Sequence, residues 1–387
     1  MAAYVPAIGA LGAYLIKRDF RMCNTYFVTC SRAVLVLACV PLFAEQYTIS
    51  TVAGNGVAGT VLNYPTAVAV DSADNVYFGD WSSMVRKLWA RSGAVTTVAG
   101  TGIPGFSGDG GQATTAMLGK IGGITLDTAG NIFIVDGENN RIRRVDVLTG
   151  IITTVAGNGS ATDSGDGGLA VNAGVARPTG ITVDHQGDLY FSNWSRVRKV
   201  TARTGMIETV AGGFFTSFSG DDGPALGARF WDPIAFAVSH AADLYIVDYE
   251  NSRIRMVAAN SGIVTTIIGT GPCSVAPIFS GVTVCQGGFG GDGGPAKDAT
   301  LNHADAAAFD AEGNLYIADT SNHRIRRVDA ATGIIYTIAG TGVSGFSGDS
   351  GPAQAAEITF PAGIAVDRSG RVYFSDENNH RIRLRPR

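Results

Sequence analysis

The chain has 387 residues, of which 45% are hydrophobic, 16% are charged and 52 are glycine. This composition is typical of a compact, turn-rich β-protein and excludes a disordered chain. The net charge of −4 and the pI near 5.7 argue against a nucleic-acid partner, because nucleic-acid affinity depends on Lys and Arg side chains that neutralise phosphates.

The N-terminus resembles an export signal. Ala33 to Ala44 is a twelve-residue apolar run that follows Arg32, too short to span a bilayer and suited to the apolar part of a signal peptide. We therefore predict a leader over residues 1–44, with Met22 as an alternative start, and an exported mature chain without a transmembrane segment. A minor alternative is a lipid anchor at Cys39, because the residues before it loosely match a lipoprotein cleavage box.

Residues 313–340 give the template for the rest of the chain. Short runs rich in Ile, Val and Tyr predict strands at Leu315–Asp319, Arg324–Val328 and Ile334–Ala339, separated by turn residues. A further strand is predicted just upstream, at Ala306–Asp310. Together these four segments predict one antiparallel four-stranded meander.

The template recurs six times, which predicts an all-β, six-bladed β-propeller over residues 45–387. The end of the second strand recurs at 55–57-residue spacing, with a single gap of 71 residues. These strand ends are Asp80, Asp136, Asn193, Asp248, Asp319 and Asp376. Tyr47 to Gly54 reads as a fourth strand with no first three before it, and the last copy lacks a fourth strand. The first segment is therefore predicted to complete the last blade and close the ring.

The linkers between blades share a Gly-rich motif with one or two carboxylates, such as GFSGDSGPA from residue 345. Because it recurs five times, we interpret the motif as architectural, and we interpret Ser350 as a turn residue although Gly-Asp-Ser-Gly resembles a protease nucleophile motif. Cys273 and Cys285 lie in the overlong repeat and predict a disulfide, with two free thiols as the alternative.

The position that precedes each first strand differs from blade to blade, whereas the surrounding repeat does not. We call it the pre-strand position and predict that its side chains surround the mouth of the central channel as candidate ligand-binding residues. Its six members are Tyr64, Lys120, Arg177, Asp232, His303 and Phe360. A solvent-filled mouth without a ligand is the alternative. Trp81 and Trp194, which follow two strand ends, are candidate surface aromatics or buried turn packing.

The motifs PAGIAVD from residue 361 and NHRIRRVD from residue 322, together with the recurring TIAG, resemble the NHL repeat family. The linkers and the stretch from Gly290 to Asn302 are similar to the teneurin-type NHL propeller and to exported bacterial NHL-repeat proteins. This resemblance implies a six-bladed propeller that binds other macromolecules. Some relatives in the wider six-bladed group are lactonases or amidating lyases that hold a metal in the channel.

The sequence therefore favours an exported, non-enzymatic and monomeric NHL propeller that binds a protein or glycan partner without a cofactor. The alternative is a metal-dependent hydrolase or lyase sited in the channel, with Asp232 and His303 as its candidate residues. Lys120 and Arg177 at the same ring position would oppose a bound cation electrostatically, and the histidines in the turns have no metal-ligand spacing. No catalytic or metal-binding residue is assigned, and a divalent cation is kept as an open alternative.

Overall fold

The computed structural model describes residues 18–20, 23–25, 27–30, 33–36, 47–58, 62–275 and 282–386. The chain divides into two compact units, Met1–Gln46 and Tyr47–Arg387. In the first unit, Arg18–Phe20 pairs with Cys23–Thr25, and Phe27–Cys30 pairs with Ala33–Val36. The predicted leader lies mostly outside the described residues, so its role stays a prediction. The described part contains no helix that is long and apolar enough to cross a membrane.

The second unit is a six-bladed β-propeller of antiparallel four-stranded sheets, as predicted. We number the blades 1 to 6 by the chain order of their first strands. The first strands are Pro65–Val70, Ile121–Leu126, Ile181–Val183, Pro233–Val238, Ala306–Phe309 and Pro361–Val366. The second strands are Val76–Asp80, Ile132–Asp136, Leu189–Asn193, Leu244–Asp248, Leu315–Asp319 and Val372–Asp376.

The two outer strands of each blade carry the basic motif and the closing motif. The third strands are Met84–Leu88, Arg141–Val145, Arg196–Val200, Arg253–Val257, Arg324–Val328 and Arg381–Arg385. The fourth strands are Val95–Ala99, Ile152–Ala156, Ile207–Ala211, Ile263–Ile268, Ile335–Ala339 and, from the start of the propeller, Ser50–Ala53. Gly223–Pro224 adds a fifth strand to the outer edge of blade 4, where it pairs with the fourth strand.

Single turns of 3-10 helix occur in the linkers and after some of the second strands. The linker turns are Ala113–Thr115, Ala170–Asn172, Ala225–Gly227, Ala296–Asp298 and Ala353–Ala355. The turns between second and third strands are Gly137–Asn139, Thr320–Asn322 and Glu377–Asn379.

The ring closes as the sequence predicts. The third strand of blade 6 pairs with the N-terminal strand, with Ile382 opposite Ala53 and Leu384 opposite Ser50. Both Ile382 and Ala53 are buried. Closure therefore removes the exposed strand edge that an open array of blades would leave.

The hydrophobic core lies between neighbouring blades. One cluster, for example, joins Tyr77 and Val85 of blade 1 to Ile124 and Ile134 of blade 2. Five equivalent clusters connect the remaining pairs of neighbours around the ring. Each blade thus buries its two faces on its neighbours, so the blades stabilise one another.

A buried arginine on the third strand anchors the linker in five blades. Arg326 donates to Asp292 Oδ1 at 2.7 Å, to the carbonyl of Gly290 at 2.9 Å and to the carbonyl of Thr300 at 2.8 Å. The equivalent residues of the other blades are Arg143, Arg198, Arg255 and Arg383. The linker carboxylates therefore stabilise the fold, because a buried guanidinium needs an anionic partner.

Ser350 occupies a turn position in this linker motif. Its φ of 67° lies in the left-handed region, as does the φ of Gly110, Gly167, Asp222 and Gly293 at the same position of the other linkers. The amide of Ser350 donates to the carbonyl of Ile49 at 2.7 Å. This conformation fits the interpretation of Ser350 as a turn residue.

The extra residues of the 71-residue repeat include a β-hairpin of Cys273–Val275 and Thr283–Cys285. Cys273 and Cys285 face each other across the hairpin and are joined as a disulfide. The amide of Thr283 donates to Ser217 Oγ at 2.8 Å, which ties the hairpin to the linker before blade 4. The redox state of this pair in the cell stays a prediction.

Candidate functional site at the channel mouth

The pre-strand position has an unusual backbone conformation. Five of its six members have φ between 45° and 56°, in the left-handed region that favours glycine. These five are Tyr64, Arg177, Asp232, His303 and Phe360. Lys120 is the exception and does not have a positive φ. The same backbone geometry therefore presents very different side chains at the same end of the channel.

The strand-ending side chains, which are five carboxylates and the amide of Asn193, hold this backbone in place. Asp319 Oδ1 accepts the amide of Asn302, the residue before His303, at 2.9 Å. Asn322 Nδ2 donates to both oxygens of Asp319 at 2.9 Å, and Arg326 of the same blade lies 3.5 Å away. The other strand ends accept the amide of the residue seventeen positions upstream in the same way. The six strand-ending side chains thus have a structural role, because they bind the backbone of the channel mouth.

The channel opens into a cavity of about 900 Å³ lined by the first strands. Of the six predicted residues, Lys120 and Arg177 line this cavity. Glu138, Asp305 and Glu377 also line it, although the sequence analysis did not select them. The cavity wall therefore carries both cationic and acidic groups.

The other four predicted residues lie around the mouth and contact neighbouring turns. The amide of Tyr64 donates to His380 Nδ1 at 3.2 Å, and the two rings pack at 4.4 Å. The amide of Phe360 donates to His323 Nδ1 at 3.3 Å. Each of these pairs joins one blade to the blade before it, so the mouth is also an interblade contact.

The two turn histidines are held as neutral acceptors. Burial lowers the pKa of His323, and the neighbouring Arg324 lowers it further. Burial and Arg381 likewise lower the pKa of His380. Because Nδ1 of each ring already accepts an amide, these side chains support the backbone of the mouth.

An acidic cluster occupies the side of the mouth formed by blades 4 to 6. Asp232 and Glu250 come from blade 4, and Asp305 and Glu377 come from blades 5 and 6. His303 Nε2 lies 3.7 Å from Glu250 Oε2, and its ring packs 4.9 Å from that of Tyr249. We refer to Asp232, Glu250, Asp305 and Glu377 as the acidic cluster.

Burial raises the pKa of three members of the acidic cluster, and neighbouring carboxylates raise it further for Asp305 and Asp232. Burial raises the pKa of Asp305 to about 8, and the negative charges of Glu377 and Asp232 add to the effect. Burial raises the pKa of Glu377 to about 7, against the opposing charge of Lys120. The pKa of Asp232 is raised by burial and by Glu250, while Arg177 lowers it. Asp305 and Glu377 therefore retain protons near neutral pH.

Trp81 and Trp194 are both exposed at this end of the propeller, with 44% and 51% of their surface accessible. Lys120 Nζ lies 3.7 Å from the ring of Trp81, which also packs against Tyr64 at 4.9 Å. The guanidinium of Arg177 lies 5.5 Å from the ring of Trp194. Each tryptophan therefore packs beside a cation at the channel mouth.

A second set of exposed apolar side chains lies in the turns that follow the fourth strands. It comprises Val57, Ile103, Phe214, Phe215 and Val343, with exposed fractions of 55% to 71%. We call these five residues the apolar rim. Arg381 and Arg324, which follow the mouth histidines, bond the carbonyls of the turns that carry Val57 and Val343. The apolar rim therefore lies on the same face as the mouth.

The missed residues occupy positions that the repeat does not specify. Glu138, Tyr249, Glu250 and Glu377 follow a strand-ending aspartate by one or two residues. The corresponding positions of blades 1 and 3 hold Trp81 and Trp194. The variation among blades just after the strand-ending residue could have identified these residues, but the sequence interpretation singled out only the two tryptophans.

The described residues contain no group of three or more His, Cys, Asp or Glu side chains that could hold a metal ion. The acidic cluster is spread over three blades, and its nearest cations are Lys120 and Arg177. The side chains of the described residues therefore do not provide a set of ligands that suits a metal ion.

A closed ring of six four-stranded blades with a charged funnel at one face defines this protein as a six-bladed β-propeller. A family model for the teneurin NHL domain matches residues 103–164 and 158–217, and a model for the NHL repeat matches residues 359–383. The chain thus carries matches to the NHL repeat and to the teneurin NHL domain, and its propeller resembles that of the teneurins.

Two curated relatives illustrate the similarity. The chain is 29% identical over 378 residues to mouse teneurin-4, an alignment that covers 88% of this chain and 13% of that protein. It is 24% identical over 345 residues to Protein SUPPRESSOR OF QUENCHING 1, chloroplastic, of Arabidopsis thaliana, covering 84% of this chain and 30% of the relative. This chain therefore spans less than a third of either relative.

Solved structures share the fold at low sequence identity. A protein of unknown function from Bacteroides thetaiotaomicron superposes with a TM-score of 0.64 at 16% identity, covering 96% of this chain and 83% of that chain. An auxiliary nutrient binding protein from the same organism gives a TM-score of 0.60 at 18% identity, covering 87% and 75%. At these identities the similarity concerns the fold alone.

Proposed function

We propose that this protein is an exported, non-enzymatic binding module that contacts a protein partner with the face of the channel mouth. The observation that carries this proposal is the apolar rim. Its members include Phe214 and Phe215, which are 71% and 69% exposed, at turn positions that contribute little to the core. Exposed apolar side chains grouped on one face are typical of a protein-interaction surface.

The charges of the mouth favour a basic partner segment. The acidic cluster contributes four carboxyl groups, and among the described residues Lys120 and Arg177 act on them as cations. A Lys or Arg side chain that enters the cavity of about 900 Å³ would lower the pKa of Asp305 and Glu377, because a nearby cation favours the charged carboxylate, and would pair with the carboxylates that form. Trp81 and Trp194, beside the mouth, would supply flat apolar contacts of the kind enriched in binding hot spots.

Export is the second part of the proposal. The predicted leader at residues 1–44 and the Cys273–Cys285 disulfide both support it. The similarity to teneurin-4 agrees with an extracellular or cell-envelope location. A glycan partner remains the competing outcome, because exposed tryptophans beside carboxylates would also suit a sugar.

The test uses defined probes and matched variants. A lysine-rich peptide with flanking apolar residues and a panel of neutral oligosaccharides are titrated against the immobilised full chain. Phe214→Ala and Glu250→Gln should each weaken peptide binding at least about fivefold. Leu148→Ala is the matched control, because Leu148 is 91% exposed in the turn between a third and a fourth strand.

The outcomes separate the alternatives. Loss of peptide binding in both face variants, with the Leu148→Ala protein unchanged, supports a basic protein partner. Binding of an oligosaccharide that is lost when Trp81 or Trp194 is replaced would instead support a glycan partner. Peptide binding that is equal in all four proteins contradicts the proposal.

A second candidate function is acid–base catalysis inside the channel. The observation in its favour is that Asp305 and Glu377, with pKa values of about 8 and about 7, line one cavity. We keep Asp232 and His303 as its further candidate residues. The metal-dependent form does not fit the described donor set, and a chelator should therefore leave the melting temperature of the purified chain unchanged. A bound stoichiometric divalent ion whose removal lowers that temperature would reopen it, with Asp232→Ala and His303→Ala as the next variants.

A further inference from the structure

Five of the six blades have their outer edge covered by the linker that precedes them. The amide of Ile152, in the fourth strand of blade 2, donates to the carbonyl of Gly111, and its own carbonyl accepts from Gly110. The same pairing occurs at the outer edges of blades 3 to 6. The linker thus acts as a short additional strand that satisfies the edge of its blade.

Blade 1 is the exception among the described blades. Its preceding linker, from Gly54 to Tyr64, lacks the Gly-Asp motif and is about ten residues shorter than the linker before blade 2. Val95 corresponds to Ile152 in the strand register, since both lie opposite the last residue of the third strand. No described residue bonds to the outward backbone groups of Val95.

The exposure of the Val95 side chain agrees with the absence of a described linker strand over this edge. Val95 is 37% exposed, whereas the equivalent residues of blades 2 to 5 are at most 1% exposed. Those residues are Ile152, Ile207, Val264 and Ile335. Thr96 and Thr97 are also exposed, and the neighbouring Trp89 is 41% exposed. The uncovered edge is therefore the middle of the strand Val95–Ala99.

This edge is self-complementary. The strand VTTVA carries no charge and no proline, the two residue types that natural proteins use to block an edge. The outward backbone groups belong to alternate residues, Val95 and Thr97, because strand hydrogen bonds alternate in direction. Two antiparallel copies can therefore pair about a two-fold axis at Thr96, with Val95 of each copy opposite Thr97 of the other.

We propose that the open edge of blade 1 binds the same edge of a second copy of this chain, which joins two propellers into a continuous eight-stranded sheet. The pairing closes at two copies, because the other five outer edges are already covered. Trp89 donates its Nε1 hydrogen to Thr96 Oγ1 at 3.0 Å, so both tryptophans would flank the two-fold axis. This dimer would replace the monomer expected from the sequence.

Sedimentation velocity of the full chain over a wide concentration range tests the proposal. The 40.1 kDa monomer should convert to a species of twice that mass as concentration rises. Thr96→Lys places two like charges opposite each other at the axis and should weaken association at least tenfold. The control is Thr153→Lys, because Thr153 holds the same register position in blade 2, whose edge is covered.

Amide hydrogen exchange locates the contact and guards against a folding defect. The amides of Val95 and Thr97 should exchange more slowly at high concentration in the natural chain and in Thr153→Lys, but not in Thr96→Lys. The melting temperatures of the dilute proteins show whether each variant is folded. A monomer at all concentrations, or a dimer that a folded Thr96→Lys protein retains, would overturn the proposal.

Discussion

Asp305 lies just before the first strand of blade 5 and faces the central cavity together with Glu377. Its pKa is raised to about 8, mainly by burial and then by the charges of Glu377 and Asp232. The folded state therefore binds this proton more tightly than the unfolded chain, in which an aspartate has a pKa near 3.8. Stability is lost as the pH rises between these two values and stays at its lower level above about 8.

The first prediction follows from that sign. Asp305→Asn removes the ionisation, so the melting temperature of the variant should exceed that of the natural chain by an amount that grows from pH 4 to pH 8. The gain should reach about 1–2 °C for each kcal/mol by which the removal of the Asp305 charge stabilises the fold. Thermal melts at pH 5 and pH 9 measure it. Asp222→Asn, an exchange at an exposed linker residue, is the control, and an equal response in both variants would contradict the assignment.

Such residue-scale detail was only partly readable from the sequence. The pre-strand positions and the two tryptophans could be selected because they vary inside a repeat. Asp305 could not be selected, since nothing in its local sequence indicates that Glu377, 72 positions away, faces the same cavity. Burial and charge coupling depend on the closed ring and are not local properties.

At the scale of an element, the linker before blade 2 shows how glycine supports close packing. Gly108 and Gly110 both have left-handed backbones, with φ of 87° and 81°. A Cβ atom on Gly108 would lie 2.7 Å from Cβ of Ala116, whereas a Cβ on Gly110 would meet no atom within 4 Å. Glycine at position 110 is therefore required only by the backbone conformation, whereas at position 108 it is also required because a Cβ atom would clash with Ala116.

This difference gives the second prediction. Gly110→Ala should lower the free energy of unfolding by about 1–2 kcal/mol, the cost of a left-handed alanine. Gly108→Ala adds a steric conflict with Ala116 and should cost about 2–5 kcal/mol. Urea unfolding of both proteins measures the two values. Equal losses would show that Ala116 can move aside.

The strands of the template copy were predictable from sequence to within about a residue, because Ile, Val and Tyr alternate with turn residues there, whereas the closing strand predicted at Tyr47 to Gly54 covers only Ser50–Ala53. Leu315–Asp319 and Arg324–Val328 have the predicted bounds, and the next strand begins at Ile335, one residue later than predicted. The linker motif was recognised as architectural, but its partner was not. Arg326 contacts Asp292 across 34 positions, a distance at which sequence patterns give no register.

For the molecule as a whole, the strand Ser50–Ala53 connects the two ends of the propeller. It covers Ile382, which is fully buried, and its neighbour Ile49 is equally buried against blade 6. The last blade is therefore the only one built from two segments that are distant in the chain, and folding must bring these segments together.

The third prediction tests this closure with two deletions. Removal of residues 1–46 leaves the closing strand intact and should leave the melting temperature within a few degrees of that of the full chain. Removal of residues 1–53 opens blade 6 and should lower the melting temperature by roughly 10 °C or more, because several buried side chains become exposed. Circular dichroism melts of both proteins decide the matter. Similar melting temperatures for the two deletions would show that the closing strand contributes little.

At the channel mouth, the residues that the chain retains are not those that would give the most stable backbone. Tyr64, Arg177, Asp232, His303 and Phe360 all adopt a conformation that glycine adopts more easily. Glycine at these positions would relieve strain, yet the chain retains five bulky or charged side chains there. A screen for thermostable variants would therefore enrich replacements at the mouth, and such a screen would reveal the residues that the protein keeps for a reason other than folding.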